Sequence, residues 1–251
     1  MSLKNKINKI LRKFNVELHG TGYLKSLTKG ELNANEMDVF KKVFDGGDIV
    51  IYDVGANRGS MINNFLVEFP DAQIHAFEPY YPLYEELVRQ FGFNKKIVIN
   101  KHGIYNCETE LLFNINKSVD TSSFLNSKKT GLNSDPQVKT VHQEQVPVTT
   151  LDKYAEKCGH QKINILKLDI QGGEMKALDG AVELLTNQRI DMIFCETYFV
   201  QQYEDQPLFF EIAGLLMKYG YVLQDLYHPI YGKGKIAWCD SMFIRKDLKL
   251  N

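Results

Sequence analysis

The chain has 251 residues, of which 44% are hydrophobic and 24% charged, and its formal net charge is −1. That length carries one large α/β domain with a buried core and a small terminal cap, and the composition excludes collagenous and low-complexity classes. A net charge so close to zero excludes a global field that would draw nucleic acid or membrane, and the apolar runs, about six to eight residues long, fall far short of the ~20 that span a bilayer.

Residues 3–14 set Leu3, Ile7, Ile10, Leu11 and Phe14 at helical spacing among Lys4, Lys6, Lys9, Arg12 and Lys13. This predicts a basic amphipathic helix, suited to peripheral contact with an anionic membrane or, more ordinarily, to packing on its own domain or on a second subunit of a homo-oligomer. The basic start lacks the apolar core of a secretory signal. The four cysteines, Cys107, Cys158, Cys195 and Cys239, form neither a CxxC pair nor zinc-type spacing. Both features predict a cytoplasmic protein. A second helix is expected over 34–44, ended by Gly46-Gly47, so that residues 1–46 read as a helical cap and 47–251 as the main domain.

Alternation begins at Asp48-Ile-Val-Ile-Tyr-Asp53, an apolar run read as a strand buried on both faces. Helices are expected at 59–69 and 80–91 and strands at 73–78, 96–100, 110–115 and 141–148. They continue with a strand at 163–169, a helix over 174–186, a strand at 190–196 and a helix at 208–219. Strands at 221–226 and 236–245 close one edge as an antiparallel hairpin. The pattern predicts a mainly parallel sheet with helices on both faces. Residues 117–140, rich in Ser, Thr, Asn and Lys, read as a lid over the active site or as a surface insertion.

Three motifs carry chemistry. Asp53-Val-Gly-Ala-Asn-Arg-Gly59 ends the first strand and opens a helix, where Gly55 turns sharply and Gly59 allows close contact. A dinucleotide loop would place its second glycine two residues after the first, but Asn57 stands there, and Asp53 disfavours a bound phosphate. The loop thus favours a cationic ligand such as S-adenosylmethionine (SAM) over NAD. Glu78, before Pro79 at the end of the next strand, suits a ribose diol. Leu166-Lys-Leu-Asp-Ile-Gln-Gly-Gly-Glu174 places Asp169 at a buried strand end, where a carboxylate needs partners or a task.

The DVGANRG loop, AFEP at 76–79, VPVTTLD at 146–152 and LKLDIQGGEMKALDGA at 166–181 together resemble the FkbM family of methyltransferases. So do Glu196-Thr-Tyr-Phe-Val, Tyr203-Glu-Asp-Gln-Pro-Leu-Phe and the closing Trp238-Cys-Asp-Ser-Met-Phe. The resemblance covers roughly 48–245 and implies a Rossmann-like class I fold with a seven-stranded sheet. It implies SAM-dependent O-methylation of a sugar hydroxyl on a cell-surface polysaccharide or glycosylated metabolite. It places the cofactor around Asp53, Gly55, Ala56, Asn57, Gly59, Glu78 and Pro79, with Asp169 beside them and Ser123 of the Ser122-Ser123 pair on the polar loop. Gly173 departs from the family's pattern of a larger residue and is expected to widen the site.

Methyl transfer to a hydroxyl calls for a base. Asp169, Glu196 and His228 are the candidates taken forward from a set that also holds Glu174, His102 and His142. Asp169 and Glu196, expected at neighbouring strand ends, also raise the option of a shared Mg²⁺. The competing readings are an NAD-dependent oxidoreductase and a non-catalytic SAM-binding partner subunit. A nucleic-acid acceptor is disfavoured because no dense basic and aromatic stripe is present.

Overall fold

The computed structural model describes residues 35–44, 47–128 and 136–249. The chain divides into two compact units, 1–35 and 36–251. The helix expected at 3–14, and with it the membrane-docking reading, lies outside the described residues, as do 129–135 of the polar segment.

The second unit opens with α1 (Glu36–Val43), then β1 (Val50–Val54), α2 (Ser60–Glu68), β2 (Gln73–Phe77), α3 (Tyr81–Phe91) and β3 (Ile97–Asn100). After β4 (Gly103–Ile104), β5 (Thr109–Asn116) and β6 (Thr140–Thr149) come α4 (Leu151–Cys158), β7 (Ile163–Leu168), α5 (Glu174–Asp179), α6 (Val182–Thr186) and β8 (Ile190–Tyr198). The unit closes with α7 (Phe209–Lys218), β9 (Tyr221–Gly232) and β10 (Lys235–Arg245). Seven strands form one sheet in the order β3-β2-β1-β7-β8-β10-β9. The first five run parallel, while β10 is antiparallel to both β8 and β9. This is the mainly parallel sheet with an antiparallel edge hairpin expected from the sequence.

Successive residues of a strand point to opposite faces, so the continuous apolar runs feed two cores. Ile51, Ile165 and Met192 pack on one side with Phe40 of α1, Phe65 of α2 and Leu87 of α3. Tyr52, Leu166 and Ile193 pack on the other with Leu151 of α4, Leu184 of α6 and Ile212 of α7. Helix α1, read from sequence as part of an N-terminal cap ending at 46, therefore belongs to the sheet unit: its Phe40 ring meets Phe65 and Phe194 at 5.8 and 5.9 Å.

Three elements depart from the sequence reading. Helix α4, unforeseen, is capped by Thr150, whose hydroxyl accepts from the Lys153 N–H at 3.2 Å, and is stopped by Gly159 at φ +71°. The helix expected over 174–186 is broken at Gly180, where a Cβ would lie 2.2 Å from the Tyr105 carbonyl oxygen. Strands β4, β6 and β5 form a separate three-stranded sheet instead of extending the main one. Its Phe113, Ile115 and Val146 make a small third core with Tyr80 and Phe124 beside the carboxyl ends of β1 and β2.

Candidate active site

A cleft opens where the parallel strands end, the position at which open α/β sheets take ligands. One chamber, ≈ 600 Å³ with its mouth, has apolar walls that include Phe77, Pro79, Leu83, Ile104 and Phe113, with Glu78 among them. An adjoining polar chamber, ≈ 650 Å³, is lined by Asn57, Arg58, Ser60, Asp120, Lys167 and Asp169. Gly55 and Asn57 border both.

The glycine turn is fixed by sterics. Gly55 sits at φ +81°, and a Cβ on it would come 1.9 Å from the Asp169 carbonyl oxygen, so the β1 and β7 turns touch only because residue 55 has no side chain. Gly59, at φ +79°, faces the Phe91 ring of α3, 2.4 Å from where its Cβ would stand. Between them Asn57 is left-handed at φ +48°, which aims its N–H at Glu78 Oε2, 3.0 Å away. The Tyr80 N–H donates to Glu78 Oε1 at 2.9 Å. Each oxygen keeps acceptor capacity toward the cleft. Burial pushes the Glu78 carboxyl up to about 7, with the two N–H groups opposing it.

Asp53 and Lys167 are paired partners on β1 and β7, so their side chains share a face. The Lys167 ammonium lies 3.2 Å from Asp53 Oδ1 and 3.6 Å from Asp169 Oδ2, and donates to the Gly55 carbonyl at 2.8 Å. Burial works to lower the Lys167 pKa, but Asp53 and Asp169 outweigh it and hold the ammonium above its ordinary range. Burial pushes the Asp53 carboxyl up, against the pull of Lys167. Asp53 is fully buried and lines neither chamber, while Lys167, unmentioned in the sequence reading, lines the polar one and ties Asp53 to the turn through the Gly55 carbonyl.

Asp169 reaches the cleft with a side chain 42% exposed. Gln171 donates one amide to Asp169 Oδ1 at 3.1 Å and to Glu196 Oε2 at 2.7 Å. Its carbonyl end accepts from Tyr198 and Tyr203, which fixes the amide's orientation. The space between the two carboxylates is thus filled by an N–H donor, which does not fit a shared Mg²⁺, and among the described residues no cluster of His, Cys, Asp and Glu forms a metal site. Burial, with Asp169 and Glu174 nearby, pushes the Glu196 carboxyl well up, which favours its neutral form beneath the cleft.

The other expected residues fall elsewhere. His228 lies on edge strand β9, 2.9 Å from Asp240 and 3.6 Å from Glu36, and lines neither chamber. Ser123 is buried, with its hydroxyl donating to the Gln171 carbonyl at 2.7 Å, while its neighbour Ser122 faces the apolar chamber. Glu174 closes its own turn, accepting from Ile170 and Gly172. Gly173 does not widen the site: a Cβ there would meet Ile170 Cδ1 at 3.1 Å. His142 is exposed beside Glu144, and His102 stacks against Phe77 and Tyr154. The described part of the polar segment does cover the cleft, through Val119, Asp120, Ser122 and Phe124. Asp120 ties it to the glycine loop, accepting from Arg58 at 2.6 Å and Asn57 at 3.1 Å.

A seven-stranded sheet with its sixth strand antiparallel, a glycine turn after β1 and an acid at the tip of β2 together define a Rossmann-like class I methyltransferase. The profile of the methyltransferase FkbM domain matches residues 53–223, and the chain belongs to this family. It is 27% identical over 183 residues to the 2-O-methyltransferase NoeI of Sinorhizobium fredii (strain NBRC 101917 / NGR234), a match covering 70% of this chain and 74% of that protein. The crystal structure of methyltransferase FkbM from Methylobacillus flagellatus KT superimposes with a TM-score of 0.52 at 12% identity, over 78% of this chain and 44% of that chain. This chain thus spans less than half the length of that protein, and the likeness is one of fold. Among the described residues no helix is long and apolar enough to cross a membrane.

Proposed function

We propose that the chain is a SAM-dependent O-methyltransferase acting on a sugar hydroxyl, with cofactor and acceptor both held by the unit that carries the seven-stranded sheet. The observation that carries the cofactor reading is Glu78. A carboxylate buried between Phe77 and Pro79, with acceptor capacity left facing an apolar chamber, fits a ribose diol with the base against Phe77, Leu83 and Ile104. The polar chamber fits the other half of the ligand. Asn57 and the exposed carboxylate of Asp169 line that chamber, and Asp169, already offset by the Lys167 ammonium 3.6 Å away, acts on a sulfonium only through screened charge.

SAM supplies an electrophilic methyl group when bound. Asp169, on the cleft wall and held by Gln171, is placed to accept the proton of an acceptor hydroxyl as that oxygen becomes nucleophilic. Asp120 and Arg58 join the polar segment to the glycine loop at the mouth of the cleft. Transfer to oxygen is supported by the similarity to NoeI, named a 2-O-methyltransferase, and the sugar acceptor is what the resemblance of the sequence motifs to the FkbM family implies.

Glu78→Gln is expected to weaken SAM binding about 10–100-fold, the worth of hydrogen bonds to a charged acceptor. In the wild type the carboxylate form is the competent one. With its pKa near 7, SAM affinity should rise with pH through neutrality and level off above it, and below pH 7 binding should release a proton. Calorimetry in buffers of different ionisation enthalpy reads both effects; affinity independent of pH between 6 and 8 contradicts the assignment. For the acceptor, mass spectrometry of surface glycans from cells with and without this protein should show one missing O-methyl group, and an unchanged glycan profile excludes that class.

A further inference from the structure

Gln171 follows Asp169 in the β7–α5 turn and adopts φ +55°. A left-handed conformation is uncommon for a residue with a Cβ and persists where the surroundings over-determine it. Here Gly172 follows with φ +95°, so the turn had a glycine available and still placed the side-chain-bearing residue at a strained position. The strain aims the side chain at four groups: Asp169 at 3.1 Å, Glu196 at 2.7 Å, Tyr203 at 2.9 Å and Tyr198 at 3.2 Å.

Both tyrosines have a second acceptor within reach. The single O–H of Tyr203, fully buried, is shared between Gln171 and the Thr121 carbonyl, 2.7 Å away in the segment that lines the cleft. The single O–H of Tyr198, at the end of β8, is likewise shared between Gln171 and Glu196 Oε2, 2.6 Å away. The Gln171 main-chain carbonyl receives the Ser123 hydroxyl. With its amide nitrogen between Asp169 and Glu196 and its oxygen between two tyrosine hydroxyls, the glutamine has partners at both ends of its side chain. Asp169, by contrast, is nearly half exposed, and among the described residues its carboxylate takes this one hydrogen bond besides the 3.6 Å approach of Lys167.

We propose that Gln171 is the positioning residue of the active site, its amide holding the Asp169 carboxylate in the orientation that meets the acceptor hydroxyl. The inference rests on the reading of Asp169 as base. Being neutral, the amide fixes the carboxylate without forming a second ion pair with it. Because the same residue joins Tyr203 and Ser123, the covering segment and the base are set by one side chain.

Two variants test this in the full chain, once the acceptor is established from the glycan comparison. Gln171→Gly relieves the left-handed strain and keeps the main-chain carbonyl for Ser123, while removing the amide. Its melting temperature and its SAM dissociation constant by calorimetry should stay close to wild type, whereas kcat falls about 10–100-fold, the effect of a base misplaced by about an ångström. Gln171→Glu keeps the shape but sets a third carboxylate against Asp169 and Glu196. Its turnover relative to wild type should be low at neutral pH and climb as pH falls and the new carboxyl becomes a donor. If Gln171→Gly melts below the assay temperature, the isosteric variant decides. Full kcat in Gln171→Gly, or a Gln171→Glu to wild-type ratio that does not change with pH, overturns the proposal. Asp169→Asn separates the two readings: full turnover there removes the base itself, while an inactive Asp169→Asn beside fully active Gln171 variants removes only the positioning role.

Discussion

Lys167→Met is expected to destabilise the domain by about 3–5 kcal/mol, the cost of leaving one partner of a buried ion pair unmatched. For a domain of this size that is about 6–20 °C in Tm. The lysine is 6% exposed, and its ammonium lies against Asp53 and the Gly55 carbonyl, neither of which has solvent to replace it. Removing it leaves the Asp53 carboxylate with no neutralising charge and with burial pushing its pKa up. The sign of the pH dependence follows. A carboxyl whose folded pKa is raised stabilises least where only the unfolded chain is ionised. The variant should therefore lose stability relative to wild type as pH rises above the ordinary carboxylate range, and approach wild type in acid. Adding Asp53→Asn removes the stranded charge and should restore part of the loss. Thermal melts of the single and double variants between pH 4 and 8 measure this, and a single variant melting within a degree of wild type at pH 7.5 would show that the pair carries no weight.

That pair also marks the limit of what the sequence discloses. Asp53, Gly55 and Glu78 were legible because each lies within a contiguous motif whose geometry is local: a strand end, a left-handed turn, a helix start. The strand–helix alternation likewise announced the mainly parallel sheet and its antiparallel edge hairpin. Lys167 sits in plain view in Leu166-Lys-Leu-Asp169, but its meaning depends on the β1–β7 register that sets it opposite Asp53. Register is a long-range property, and an isolated lysine in an apolar run reads as a solvent-facing interruption until the pairing is known. The one available signal was its i, i+2 relation to Asp169, which puts both on one face of the strand. The same limit explains the three-stranded sheet: β4 is two residues long, and nothing local says that Gly103 and Ile104 pair with Val148 and Thr149. It also explains His228, whose position past a strand suggested the cleft, although β9 is the edge strand, four strands from β1 in the sheet order. Along the irregular segment that follows β5, Ser122 faces the cavity while Ser123 turns to the Gln171 carbonyl, an alternation that no local pattern discloses.

Asp169→Asn is expected to lower kcat by about 10²–10⁴-fold, the range spanned by loss of a positioned base. The substitution keeps the shape and one acceptor for the Gln171 amide, so the fold and the Asp53–Lys167 pair remain. SAM affinity should change little, since a carboxylate 42% exposed acts on a nearby cation through screened charge worth about 1 kcal/mol or less, under about sixfold in Kd. The split between kcat and Kd is the informative result, because the alternatives predict different splits. If Asp169 served mainly to attract the sulfonium, binding would weaken in step with turnover. If proximity alone drove the reaction, neither would move. Glu196→Gln is the matching control: burial favours the neutral form of this carboxyl and the amide keeps its shape beside Tyr198, so its turnover should stay within about tenfold of wild type. Should Glu196→Gln prove the inactive one and Asp169→Asn the active one, the proton would leave by way of the buried carboxyl, and the exposed aspartate would be part of the cleft wall.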